Sequence, residues 1–317
     1  MKTRLWLQPA LIALIVVAAF TTCYIGLQRD PQPHQIPIAV TGSDLPVRIH
    51  QALGDAVEVR PAADAEAARQ ALEGHDVVAA LSTDGSGGLR LETAGAVGNS
   101  TTSAVSSLVG AYAHGAGQQL TTVDMVPLAH FDSRGLAGFY LAFGVTLAGF
   151  VLGSNAIGLA GVLNLRHRFR LLCGASLAIG AVAAIIAGPA LGAVPAPVLP
   201  LVFTLALLAA AAAFTTKLLG TYLGPVGVPV ATLVLLTVGN ATSGAAVGAD
   251  LLPAAARAVS ALLPPGAAVR AITDLSYFDG AHLAIPAITL ALWAAVSGLL
   301  LALRPRLTRT RTAATAS

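Results

Sequence analysis

The chain has 317 residues, of which 56% are hydrophobic and only 10% charged, and its formal net charge is +3. Ordinary soluble domains carry about 25% charged residues, so this composition excludes a purely water-soluble protein and describes an integral membrane protein with one modest water-facing domain. The positive charge sits beside apolar runs, where topology and anionic lipid account for it, and it leaves no nucleic-acid footprint.

A helix rises about 1.5 Å per residue, so about 20 apolar residues cross a hydrocarbon core of ~30 Å. Six runs approach or meet that length: Pro9–Leu27, Leu136–Leu159, Leu171–Leu191, Val198–Leu219, Pro225–Val247 and Leu283–Leu303. The first follows Lys2 and Arg4 and exceeds the signal-peptide core of about 7 to 15 residues, so residues 1–27 read as a signal-anchor helix. Cys23 follows Thr22, where a lipoprotein cleavage site would want Gly or Ala, and reads as a membrane-buried thiol.

Residues 28–135 form the water-facing domain, with six arginines against twelve acids. Its pattern predicts strands at Ile36–Val40, Val57–Val59, Val77–Leu81 and Leu89–Thr93. Helices are expected at Leu45–Leu53, Asp64–Leu72 and Ser100–Gln119, with Asn99 or Ser100 as N-cap of the last. A final extended piece covers Thr122–Leu128. This alternation implies a small, mainly parallel α/β sheet held by its own core, since no cysteine is present to staple it. The histidines His34, His50, His75, His114 and His130 are scattered without metal-ligand spacing. Ser43, Ser82 and Ser86 lack the context of a nucleophile elbow. No catalytic, cofactor-binding or metal-ligating cluster stands out, and binding or gating is expected of this domain rather than catalysis.

Residues 136–303 form a five-helix membrane domain. Arg166, Arg168 and Arg170 crowd a short turn, Asn164–Arg170. Ser176, Gly180, Ala184 and Gly188 recur at every fourth position of the next run, a small-residue stripe that lets another helix backbone come close, within the chain or across a dimer. Asn240, Thr242 and Ser243 place polar groups near the end of the fifth run, where they need protein or wet surroundings. In the loop 241–282 an amphipathic helix is expected over Pro253–Leu263, broken by Pro264, Pro265 and Gly266, with Asn240 as hydrogen-bonding partner of the break. A second short helix through Arg270–Leu275 and an aromatic turn, Tyr277–Gly280, at interface depth complete a re-entrant hairpin or an interfacial helix pair. A basic tail occupies residues 304–317.

All fifteen acids lie in residues 28–135 and 241–282. The opposite set of ends carries only base: Lys2, Arg4, the three arginines of the turn, Lys217 and the arginines of the tail. By the positive-inside rule that side is the cytoplasm, so both termini are expected inside and the sheet domain outside. Neither lysine of the chain follows a glycine, which leaves no phosphate-cradling Walker loop.

One membrane run, a large outer domain and five further runs form the layout. The motifs within it are Asp132, Arg134, Gly135 and Phe139-Tyr140, then Gly239-Asn240-Ala241-Thr242-Ser243-Gly244, Leu251-Leu252-Pro253, Leu263-Pro264-Pro265-Gly266 and Tyr277-Phe278-Asp279-Gly280. Together they resemble the membrane subunits of type-2 ABC exporters and their YhgE/Pip-like relatives, over about Gly135–Leu303. The resemblance implies an export permease working as a homodimer or heterodimer of membrane subunits with separate cytoplasmic ATPases, moving an amphipathic or lipid-like substrate outward. It places Arg166, Arg168 and Arg170 at the ATPase-coupling turn, and Asn240, Thr242, Ser243, Pro264, Pro265 and Gly266 at the outer gate. The alternative is a non-transporting envelope accessory or receptor-like protein whose outer domain binds a partner.

Overall fold

A computed structural model describes residues 3–85, 87–159 and 162–314, with side chains between 7 and 304 of that range. Ser86 lies outside the described residues.

The first helix, α1 (Thr3–Gln28), leads to a sheet domain built as β1 (Ile36–Thr41), α2 (Leu45–Leu53), β2 (Val57–Ala62), α3 (Ala65–Glu73), β3 (Ala79–Thr83), β4 (Leu89–Thr93), α4 (Asn99–Gly115) and β5 (Leu120–Asp124). The strand order is β2-β1-β3-β4-β5, and only the β3–β4 pairing is antiparallel. Local chemistry sets the joints. Asp64 accepts from the Ala67 amide at 2.8 Å and caps α3, and Asp84 accepts from the Gly88 amide at 2.7 Å to close the β3–β4 turn. The cap of α4 departs from expectation. Gly98, at φ 128°, is its N-cap, because Asn99 and Ser100 are spent elsewhere: the Asn99 amide donates to the Arg134 carbonyl and the Ser100 hydroxyl accepts from the Gly248 amide.

The core of this domain is not closed by residues 28–135 alone. One face of the sheet buries Ile36, Ile38, Val40, Ile49, Leu81 and Leu91 together with Leu251. The other buries Ala39, Ala68, Leu72, Val77 and Ala80 together with Phe278. Both plugs come from the loop 241–282, so that loop is part of the sheet domain's core as well as of the helical region. Phe278, expected at a lipid interface, is instead packed in protein.

The helical region contains α5 (Ala137–Gly158) and α6 (Leu165–Ile185), which runs on as a π turn, Ile186–Ala190, around Pro189. Then come α7 (Val198–Leu223), α8 (Gly227–Ala231), a second π turn (Thr232–Val238) and α9 (Gly239–Ala241). The hairpin α10 (Ala254–Leu262) and α11 (Pro264–Tyr277) precedes α12 (Ala284–Ala314). Helix α7 is the hub, touching α5, α6, α11 and α12. Five stretches are long and apolar enough to cross a membrane: Leu7–Gln28, Ala137–Gly158, Leu165–Ala190, Val198–Ala241 and Ala284–Arg304. With the small mixed sheet, that is the make-up of a multi-pass helical membrane protein.

The 44-residue stretch Val198–Ala241 is not one rod. Gly224 takes φ 60°, a left-handed conformation open to glycine, just before Pro225. The chain then turns back on itself. Gly227 lies so close to the Leu219 carbonyl and the Gly220 backbone that a side chain there would collide, and Val230 and Val234 share a cleft with Leu218 and Leu219.

A candidate gate beneath the sheet domain

The helices pack through small residues. A Cβ on Gly180 would stand 2.7 Å from the Val202 carbonyl and 2.6 Å from the Ala206 amide, both on α7. Ser176, Gly180, Ala184 and Gly188 are all buried; Gly180 lies against α7 within the chain, while Gly188 faces the Val194 carbonyl of the following loop. On α5, Gly149 and Gly153 abut the carbonyls of Ala209 and Ala213 in the same way. In lipid, where burial offers no gain over the surrounding hydrocarbon, such close approach is the main source of helix association.

Arg166, Arg168 and Arg170 do not occupy a turn. Asn164 caps α6, accepting from the His167 amide at 3.0 Å, and the three arginines lie on the first two turns of that helix. Arg166 and Arg170 are exposed. Cations at a helix N-terminus oppose the macrodipole by about 0.3–1 kcal/mol each, so their placement serves something other than the stability of α6. Lys217, counted from sequence among the charges of the basic side, is 3% exposed and donates to the Ala156 carbonyl at 3.1 Å.

The hairpin is the most specific construction in the helical region. Pro264 and Pro265 do not terminate a helix; they begin one. They fill the first turn of α11, where a missing N–H costs no hydrogen bond, and extended Leu263 is the hinge between α10 and α11. The expected short second helix, Arg270–Leu275, is in fact the 14-residue α11. Gly266 lets α11 sit against the Ser260 carbonyl. Arg270 reaches back from α11 to the last carbonyls of α10, donating to Ser260 O at 3.3 Å and Ala261 O at 3.3 Å.

Where the hairpin turns, the Trp293 indole N–H donates to the Leu262 carbonyl at 2.8 Å. Trp293 lies near the middle of the 21-residue apolar stretch Ala284–Arg304, about 14 Å from its start at ~1.5 Å per residue. Helix α10 therefore descends from the sheet domain, where Arg257 donates to the His34 carbonyl at 3.1 Å. Helix α11 climbs back to it, ending at Tyr277, whose hydroxyl accepts from the Ala129 amide at 3.2 Å. The inner face of α11 (Ala267, Ala268, Ile272, Leu275) packs on Leu201, Leu205 and Leu208 of α7.

Asn240 is buried beside this hairpin, and the preceding Gly239 faces the Pro265 ring. The expected bond from Asn240 to the hairpin is absent. Its amide donates within its own helix to Leu236 O at 3.5 Å, and its Oδ1 is buried without a partner. The Leu236 carbonyl belongs to the π turn and also accepts from the Tyr24 hydroxyl of α1 at 3.4 Å. Thr242 bonds back to Val238 O at 2.9 Å. The Ser243 hydroxyl is buried and unpartnered. A π turn frees backbone groups from the regular ladder and commonly marks a functional position, and here it leads into Asn240, whose Oδ1 is buried without a partner.

A further group of residues escaped the sequence reading. The Nδ1 of His75, at the end of α3, lies 2.6 Å from Asp274 Oδ1 on α11, and the His75 ring stacks on Phe278 with centroids 4.1 Å apart. His282 Nε2 stands 3.2 Å from Asp76 Oδ1. No local pattern could reveal pairs separated by about two hundred residues. Comparison of the chain with protein-family models, with curated proteins and with solved structures finds no match in any of the three.

Proposed function

We propose that this chain is the permease subunit of an exporter of the type-2 ABC class. It works as one of a pair of membrane subunits with a separate cytoplasmic ATPase, and it passes an amphipathic or lipid-like substrate outward. In this reading the chain spans the membrane six times, the break at Gly224 dividing the longest apolar stretch into two. Both termini and Arg166, Arg168 and Arg170 face the cytoplasm, and the sheet domain lies outside.

The observation that carries the reading is the α10–α11 hairpin, which we read as re-entrant. A pair of helices too short to span enters to mid-depth and is bound at its tip by Trp293. The buried, unpartnered Oδ1 of Asn240 stands beside it. Irregular backbone and unpaired polar groups at membrane depth are tolerated only where protein or a water-filled path receives them. Asn240, Thr242, Ser243, Pro264, Pro265 and Gly266 then edge an outer exit closed in this conformation. The lipid-like substrate class is supported by an apolar groove of about 810 Å³ between α1 and α8, lined by Pro9, Val16, Phe20, Pro225, Val228 and Thr232.

The test is co-purification from the native membrane. An exporter subunit should bring down an ATPase whose hydrolysis depends on the chain, and Arg166→Gln with Arg168→Gln should leave the protein inserted while weakening that association at least severalfold. Loss of no ATPase, because none is bound in the parent chain, would reject the transport reading in favour of the accessory one.

A further inference from the structure

The sheet domain and α11 meet through a set of ionisable groups. Asp274 is 2% exposed, and its carboxylate faces the His75 ring at 2.6 Å. His75 is held at φ 61°, a left-handed conformation costly for a residue with a side chain, while the preceding Gly74 sits at an ordinary φ of −77°. The strain thus falls on the residue that carries the chemistry, and a strained residue persists where its surroundings over-determine it. The ring is clamped from the other side by Phe278, tilted 9° from parallel. Phe278 itself plugs the sheet-domain core. His75 is therefore fixed between the end of α11 and the domain it belongs to.

We propose that His75 and Asp274, with Phe278 as the stacking plate, form a proton-controlled clasp that ties the sheet domain to α11. The Nδ1–H of His75 donates to the carboxylate in either protonation state. A second proton, at Nε2, places a full positive charge against a buried anion, and charge-assisted bonds are about twice as strong as neutral ones. Imidazole is the side chain whose charge ordinarily changes between about pH 5 and 8.

The other charges facing the pair set its context. On α11, Arg270 lies close enough to act on Asp274. Asp250, in the loop before α10, feels the charge of His75. His282, ahead of α12, is 6.1 Å from the His75 ring and pairs with Asp76, whose carbonyl accepts from Arg60.

The sign follows. The clasp is tightest when His75 is charged, and it loosens as the pH rises through the imidazole range, freeing α11 to move relative to the sheet domain. The device does not depend on what, if anything, the chain exports.

Hydrogen exchange of the full chain in lipid nanodiscs, corrected for the intrinsic pH dependence of exchange, tests it. From pH 5.5 to 8, protection of the amides at 272–280 should fall severalfold in the parent chain. It should become flat in His75→Gln and in Asp274→Asn, while His282→Gln keeps the slope. If Asp274→Asn does not fold, His75→Gln decides alone, and the ring signals of His75 in NMR should titrate in step with the change in protection. A flat parent profile, an unchanged slope in His75→Gln, or loss of the slope in His282→Gln would overturn the clasp.

Discussion

The sheet domain and the helical bundle solve the packing problem in different ways. The sheet domain buries large branched side chains, Ile36, Ile38, Ile49, Leu72, Leu81 and Leu91, each fully removed from solvent. The bundle holds its helices together with Gly149, Gly153 and Gly180 against Ala209, Ala213 and Ala206 of α7. In water the gain comes from taking apolar surface out of solvent, about 25 cal/mol per Å². In lipid that gain is missing, and the gain comes from bringing backbones together. The two regions should therefore fail under opposite insults: the sheet domain when side chains are cut back, the bundle when they are enlarged.

The largest effect is expected at Gly153. A side chain there would run into the Ala213 carbonyl and the Thr216 side chain, which belong to the hub helix. Backbone cannot move aside as a flexible side chain can. Overpacking in a tight core costs about 1–3 kcal/mol and sometimes more, so Gly153→Leu should separate α5 from α7 and lower the thermal midpoint in detergent by several degrees. Gly158, with open space around the position of a Cβ, is the control, and Gly158→Ala should be near neutral. Equal effects at the two sites would break the argument from backbone approach.

The complementary cut is Phe278→Ala. Removing a buried phenylalanine costs about 3–5 kcal/mol in a well-packed core, and here the ring also stacks on His75, which is 21% exposed, so part of the site can refill with water. A loss near the lower end is expected, read as protease sensitivity of residues 36–124. The sharper outcome concerns the fragment 28–135. Lacking Leu251 and Phe278, it should bind a hydrophobic dye and melt without cooperativity. A fragment as stable as the whole would show that the loop only rests on the domain.

Much of this division could be read from the chain. Helix α2 and strand β4 have the bounds their patterns predict, because Gly54 ends one and the Gly87-Gly88 turn starts the other. The small-residue stripe of α6 was visible as spacing alone. What could not be seen were tertiary demands. Nothing local tells that Asn99 and Ser100 leave the cap of α4 to bond Arg134 and Gly248. Nor could an aromatic turn at Tyr277–Gly280, which looks like an interfacial belt, disclose that its Phe278 completes a sheet core begun two hundred residues earlier. The prolines misled for a stated reason: the same ring that ends a helix in its interior starts one at its first turn.

The smallest effect sharpens the comparison through acid. Among the described residues the five apolar stretches hold no carboxylate, whereas the sheet domain relies on Glu92, which accepts from Arg90 Nε at 2.9 Å and Arg69 Nη2 at 3.2 Å. Burial alone would raise the pKa of Glu92, but the two guanidinium bonds outweigh it and hold the carboxyl below the usual glutamate value. A folded pKa below the unfolded one means that the unfolded chain binds more protons, so this stabilisation is complete above about pH 4.5 and is lost as the pH falls through the folded value. Asp250 has the opposite sign, because burial holds its pKa up. Its contribution is present at low pH and lost as the pH rises, and Asp250→Asn should stabilise the neutral protein. Acid should thus unfold the sheet domain while the bundle keeps its helix signal, and Glu92→Gln should flatten the acid limb of the sheet domain's transition. A bundle that melts in step with the sheet domain, with the same slope in Glu92→Gln, would mean that the loop 241–282 couples the two regions into one cooperative unit.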